Sequence, residues 1–273
     1  MSLRRALTAT PIYLILIVLG LFFLVPLLWP LIASFNPAAT LSLELPSHPS
    51  LINFTTIIGN GTVGLPFTNS LIMAVSTMVL SIILSGLAAY PLSRYQFRFK
   101  KLLMYFILFA SALPVLALVT PLYAMYVTLN LQDTLLGCIC FFVASALPFC
   151  TWLMKNFLDG VPFEMEEAAW IDGASTLQTL RYILLPLAAS GISVVGVWSF
   201  LGAWTNFFVP LIILQSQNLL PASVSIYTFF GAYGQVNYGQ LAAFALLYAL
   251  PAVALYTLVS RFFVRGVSGG LKG

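Results

Sequence analysis

Charge is what this chain has least of. Asp, Glu, Lys and Arg make up only 7% of its 273 residues, where a water-soluble domain carries about 25%. Hydrophobic residues account for 61%, and the mean hydropathy is +1.02. That shortage excludes a soluble fold and requires an integral membrane protein. Backbone groups in lipid need internal hydrogen-bond partners, which leaves helical bundles and closed barrels. Barrels show short alternating segments; the apolar runs here are continuous and charge-free, as helices require.

Other absences narrow the function. The one histidine, His48, has no neighbouring nucleophile, so no catalytic constellation is present. The three cysteines, Cys138, Cys140 and Cys150, share one apolar run. They form neither a disulfide framework nor a metal-ligand spacing, and they read as buried thiols. The apolar runs carry no Asp, Glu, Lys, Arg or His away from their ends. Such groups normally mark proton relays, ion sites and voltage sensors. Their absence argues against a proton-coupled transporter, a pump core or a voltage-gated channel, while sodium coupling through backbone carbonyls stays open. In "RGVSGGLKG", Lys272 lies between Leu271 and Gly273, without the glycine spacing, Ser/Thr and following helix of a P-loop. It reads as a flexible basic tail.

A spanning helix needs roughly 20 apolar residues. Six runs meet this: about 12–34, 66–91, 102–128, 134–154, 185–213 and 240–261. The whole of 1–273 reads as one transmembrane domain. The first run exceeds the 7–15 residues of a signal h-region, so it is expected to persist as a helix. All eleven basic residues fall on one side of this arrangement: Arg4, Arg5, Arg94, Arg98, Lys100, Lys101, Lys155, Arg181, Arg261, Arg265 and Lys272. The opposite loops hold only Glu44, His48 and Asp133. The positive-inside rule then makes both termini cytoplasmic. The net charge of +4 reflects this topology and not nucleic-acid binding.

Acidic residues cluster in the cytoplasmic connection between the fourth and fifth runs, as Asp159, Glu164, Glu166, Glu167 and Asp172. Pro162 suits a helix start, and the glutamates then occupy the first turns, where the helix dipole favours anions. Ala168 and Ala169 present a small face. Gly173 takes a turn conformation that other residues resist. A second helix, Ser175 to Leu185, carries Leu177, Leu180, Ile183 and Leu184 at helical spacing, and Pro186 marks entry to the fifth run. Such a surface suits docking to a soluble partner. For Glu164 and Glu166, solvated dipole partner and docking residue both remain open.

"EAAWIDGASTLQTLRYILLP" resembles the EAA loop (160–187) of ATP-binding-cassette (ABC) importer permeases. Glu167, Ala168, Ala169, Gly173, Ile183, Leu185 and Pro186 fall on its motif positions. "TNSLIMAVSTMVLSIILSGLAAYPLSRYQFRFKK", "TPLYAMYVTLNLQDTLLG", "LPFCTWLMKNFLDGVP", "FLGAWTNFFVPLIIL" and "RFFVRGVSGGLKG" resemble the carbohydrate, MalG-like (maltose-type) branch, covering most of 66–273. The resemblance implies an all-α membrane protein of type I ABC importer architecture, with six spans and a cytoplasmic coupling helix. It implies a transport subunit, not an enzyme, for a mono- or oligosaccharide. It also implies four kinds of partner: a second, MalF-like permease; two ATPase subunits, which hold the ATP and Mg; an extracytoplasmic sugar-binding protein; and the lipid bilayer. No cofactor is expected in this chain. ATPase coupling would fall to Glu164, Glu167, Ala168, Ala169, Asp172 and Gly173.

Asn69, Trp204, Asn206 and Phe207 are candidates for the sugar path, because aromatic faces and amides suit sugars; lipid contact or helix packing is the competing reading. Tyr227 to Tyr238 either contacts the binding protein, caps the path or forms an interfacial aromatic belt. Ser85 and Ala89, four apart, and Gly86, Gly191 and Gly196 point to close helix packing. Pro114, Pro121, Pro148, Pro210 and Pro251 mark kinks. Two alternatives stand beside sugar import. One is an ABC permease for another solute, such as glycerol phosphate, a polyamine or an amino acid. The other is a self-sufficient secondary transporter or channel, although no internal repeat is evident.

Overall fold

A computed structural model describes residues 3–112, 114–230 and 236–270. Lys272 and residues 231–235 of the aromatic stretch lie outside the described residues, as do the side chains of Arg4, Arg5, Arg261 and Arg265. The regular elements among the described residues are all helices, with no strand and one isolated bridge between Phe230 and Val236. In chain order the helices are α1 (Leu3–Ser34), α2 (Ile52–Gly59), α3 (Gly64–Arg94), α4 (Lys100–Ser111), α5 (Val115–Thr128), α6 (Leu135–Asp159), α7 (Glu164–Ile171), α8 (Thr176–Leu187), α9 (Ala189–Trp204), α10 (Phe208–Ile213), α11 (Ala222–Ser225) and α12 (Tyr238–Gly270).

Four stretches are single helices long and apolar enough to cross a membrane: Ile12–Ser34, Gly64–Arg94, Leu135–Asp159 and Tyr238–Ser260. The remaining two apolar runs are broken. The run 102–128 divides into α4 and α5 at Pro114, which is extended (φ −68°, ψ 121°); proline has no N–H to continue a helix and restricts the residue before it. The run 185–213 is entered by α8, which meets α9 at an angle of 82°. It is left after Trp204, where residues 205–207 separate α9 from the short α10.

The chain forms two compact units. The first comprises residues 1–64 and 226–250. Here the Asn53 amide donates to the carbonyls of Ser34 and Asn36, 3.0 Å each. A Cβ on Gly239 would lie 2.5 Å from the Asn53 amide nitrogen, so this contact needs glycine. Phe229 and Phe244 pack with centroids 5.1 Å apart. Residues 12–27 of α1 are exposed along their whole length, which suits a helix bathed in lipid.

The second unit comprises residues 65–225 and 251–273. Its core joins α3, α6, α8 and α9 through Ala89, Tyr90, Cys150, Met154, Leu184 and Val195. Gly191 permits a close approach: an added Cβ would sit 2.5 Å from the Phe157 ring. Gly196 meets Ile82 and Met78, and Gly86 meets Leu185 at ordinary contact distance. From Asn69 to Arg94, α3 rises about 37 Å at 1.5 Å per residue, enough for the roughly 30 Å hydrocarbon core.

The Asn69 end of this unit is tied by polar bonds. The Asn69 amide donates to the carbonyls of Asn218 (2.9 Å) and Leu220 (3.2 Å), and the Ala222 N–H donates to Ser70 Oγ (2.9 Å). Asp133, at φ 52°, accepts from the N–H groups of Gln215 (2.8 Å) and Ser216 (2.9 Å) and from the Ser216 hydroxyl. Those three hydrogen bonds hold its carboxyl below the usual carboxylate range, the hydroxyl contributing most.

Candidate functional site

The acidic segment forms at the Arg94 end of the second unit. Gly160 closes α6, and Phe163 stands at the N-cap of α7 just after Pro162. Glu164, Glu166 and Glu167 fill the first turn of α7, where the dipole favours negative charge. The helix ends in a Schellman motif: Ala174 N–H donates to Ala169 O (2.9 Å) and Gly173 N–H to Trp170 O (3.0 Å). That closure requires a left-handed residue, and Gly173 supplies it at φ +84°. Ser175 and Gln178 then form a reciprocal capping box that starts α8. A π turn over Leu180–Leu184 carries α8 to Pro186 and the bend at Ala188.

The faces of α7 differ sharply. Glu166 and Ala169, one turn apart, are buried, whereas Glu164, Glu167, Ala168, Asp172 and Gly173 are exposed. Ile171 is 86% exposed and Met165 49% exposed, so the outward surface mixes acid, small and large apolar groups. Leu180 and Leu184 of α8 are buried, Ile183 is half-buried, and Leu177 is exposed.

Glu166 is not a solvated dipole partner. Its side chain is 0% exposed and forms an ion pair with Arg94 on the last turn of α3, itself 8% exposed. Tyr90, one turn earlier, donates its hydroxyl to Glu166 Oε2 at 3.1 Å. Arg94 also donates to the Val161 carbonyl at 3.0 Å. Beside this pair, Ser93 donates to Asp159 Oδ1 at 2.6 Å, and Lys155 pairs with the same carboxylate. One cluster thus fastens α7 to α3 and to the chain leaving α6. Sequence reading places Arg94 only among the basic residues of one side. The available signal is the i, i+4 spacing of Tyr90 and Arg94, which continues the row of Ile82 and Gly86 along α3.

The four path candidates separate. Asn69 is committed to the Asn218 and Leu220 carbonyls. Trp204 is 1% exposed, stacked on Phe200 at 5.8 Å and edge-on to Phe67 at 6.0 Å. Phe207 is half-buried against Phe208. Asn206 accepts from Val209 N–H at 3.1 Å and borders a cavity of about 150 Å³ with Phe142, Ser145, Trp198 and Ser199.

The family described as "Binding-protein-dependent transport system inner membrane component" matches residues 81–269, which include all of the α3 end, α7 and α8. The chain belongs to this family. It is a membrane permease, the inner-membrane component of a transport system that depends on a binding protein. The permease is 30% identical over 261 residues to the diacetylchitobiose uptake system permease protein NgcG of Streptomyces coelicolor, covering 94% of this chain and 86% of that one. It is 30% identical over 275 residues to the maltodextrin transport system permease protein MalD of Streptococcus pneumoniae, covering 100% and 98%. Its fold resembles a chain from a bacterial ABC transporter that imports the acidic polysaccharide alginate, with TM-score 0.80, 19% identity and coverage of 96% and 99%.

Proposed function

We propose that this permease imports a mono- or oligosaccharide and forms its translocation path together with a second, different permease subunit. In this reading six spans cross the membrane, with α4 and α5 sharing the third and α9 leading the fifth. Both termini and α7 face the cytoplasm. Two ATPase subunits carry ATP and Mg, and an extracytoplasmic binding protein delivers the sugar. The choice of sugar rests on the similarity to permeases named for diacetylchitobiose and maltodextrin.

The observation that carries the coupling assignment is the outward face of α7. Glu167 and Ala168 stand exposed beside Met165 and Ile171. An exposed apolar surface rimmed by polar groups marks a protein contact. Glu167 is positioned to make a charge-assisted bond to a basic residue of the ATPase, Ala168 permits close approach, and Ala169, Asp172 and Gly173 shape the helix and its exit. Glu164 joins the acidic rim. ATP-driven closure of the ATPase pair would then push on α7. Among the path candidates, Asn206 and Phe207 are proposed as the sugar-facing pair, because Asn69 and Trp204 serve packing.

The test is Glu167→Lys in the assembled transporter, read by co-purification of the ATPase and by uptake of labelled maltodextrin. Association and uptake should both be lost while the permease still inserts. Normal association and uptake would remove the coupling role from Glu167. A binding-protein ligand screen checks the sugar assignment separately.

A further inference from the structure

A cavity of about 740 Å³ lies between α4 and α6 and shares Lys155 with the cluster that anchors α7. Arg98, Lys100, Lys101 and Lys155 line it together with Tyr105 and Trp152. Four of the eleven basic residues of the chain therefore border one concavity. Among the described residues the ion pairs are Arg94–Glu166 and Lys155–Asp159. Arg98, Lys100 and Lys101 thus have no carboxylate partner there. Lys100 donates to the Tyr95 carbonyl at 3.1 Å, and Arg98 lies 5.7 Å over the Phe99 ring. Neither contact neutralises charge.

The polarity of the lining changes along α4. Lys100 and Lys101 occupy its first turn, Met104 and Tyr105 the second, and Leu108 the third. Spacing of three and four residues keeps these on one side of a helix. The result is a strip that is cationic at one end and apolar at the other, with two aromatic side chains between. Tyr and Trp favour the level of lipid headgroups. A soluble anion would use only the cationic end, and an acidic protein surface would leave the apolar end unmatched. An amphiphile with one negative headgroup and an acyl chain matches both. Basic pockets between membrane helices on the cytoplasmic side hold such headgroups, and the volume is in the range of small-ligand sites.

We infer that this cavity binds an anionic phospholipid, with the headgroup phosphate at Arg98 and Lys101 and an acyl chain along Met104 and Leu108. The inference requires α4 and α6 to lie in the bilayer with their basic ends at its cytoplasmic face. It does not depend on which solute is imported.

The test uses the purified full-length permease, given equal amounts of dioleoyl-phosphatidylglycerol and dioleoyl-phosphatidylcholine and read by native mass spectrometry. Phosphatidylglycerol should be retained about tenfold over phosphatidylcholine. The Arg98→Gln/Lys101→Gln double variant should bring the two to near parity. Lys101→Arg and the remote Arg181→Gln should keep the preference. A thermal transition in detergent checks folding, and if the double variant melts early, each single variant should still lose part of the preference. Equal retention of the two lipids by the unaltered chain would overturn the site, as would an undiminished preference in the variants. Displacement of the lipid by an equal concentration of glycerol phosphate would reassign the cavity to a soluble anion. Loss of ATPase co-purification with lipid preference intact would reassign it to protein docking.

Discussion

Replacing Glu166 by glutamine keeps the shape of the side chain and removes one charge of the pair that fastens α7 to α3. The consequence follows from burial. The glutamate is 0% exposed and Arg94 8% exposed, so the variant strands a guanidinium with little access to water. Breaking a buried ion pair from one side costs about 3–5 kcal/mol. Arg94 retains a bond to the Val161 carbonyl and some exposure, which selects the lower end, about 3 kcal/mol. At about 1.4 kcal/mol per decade, the population with α7 detached rises roughly a hundredfold. Amide exchange reads such local opening directly. Amides of residues 164–174 should exchange about a hundredfold faster in Glu166→Gln, while those of 217–225, tied at the far end of α3, should not change. A double variant, Arg94→Met/Glu166→Leu, leaves no stranded charge and should return to within about tenfold of the unaltered protein. Unchanged exchange in the single variant, or equal exchange in single and double variants, would refute the role of the pair.

Other perturbations test separate parts of the fold. Gly173→Ala meets no atom within 4 Å but must hold φ +84°, so it should destabilise the α7 exit by about 1–2 kcal/mol, with Gly173→Asn milder, as measured by exchange at residues 169–174. Gly191→Ala places a methyl 2.5 Å from Phe157 and should lower stability by about 1–3 kcal/mol in thermal denaturation of the detergent-solubilised permease. The Asp133 carboxyl is held low by its bonds to Ser216 and Gln215. Its stabilising effect is therefore complete above the ordinary carboxylate pKa and is lost as pH falls through the lower folded value. Protection of the Gln215 and Ser216 amides should persist to mildly acidic pH, collapse only below it, and be absent in Asp133→Asn.

Composition alone makes the helical membrane architecture legible, because a chain with 7% charged residues has few other ways to satisfy its backbone in lipid. Legibility fails where a helix breaks inside an apolar run. Pro114, Pro186 and the polar pair Thr205–Asn206 stand at or beside the breaks, but other prolines such as Pro148 and Pro251 sit inside unbroken helices, so none of these marks alone separates a break from a continuous helix. The turn at Gly173 is readable because the αL conformation it adopts is one that few residues tolerate. Glu166 is not readable, since Tyr90 lies 76 positions away in sequence and nothing local distinguishes Glu166 from Glu167. The partners of Asn69 are hidden for a similar reason. An amide in a span suits a ligand, yet here its partners are carbonyls of a loop some 150 residues downstream.

The two adjacent glutamates bear on how α7 would transfer force in the coupling role proposed for it. Successive residues on an α-helix point about 100° apart, so Glu166 and Glu167 cannot share an environment. Glu167 faces outward, where a partner would press. Glu166 faces inward, where the pair with Arg94 and the Tyr90 hydroxyl bind it to the end of α3. Displacing α7 without moving α3 would separate a buried ion pair, which is disfavoured by several kcal/mol. Moving both together leaves the pair intact. In the proposed coupling role, a push on the exposed face would therefore be delivered to the long helix more readily than absorbed in the short one, and eight residues of α7 would suffice as the lever because the stiffness lies in the buried charges behind it.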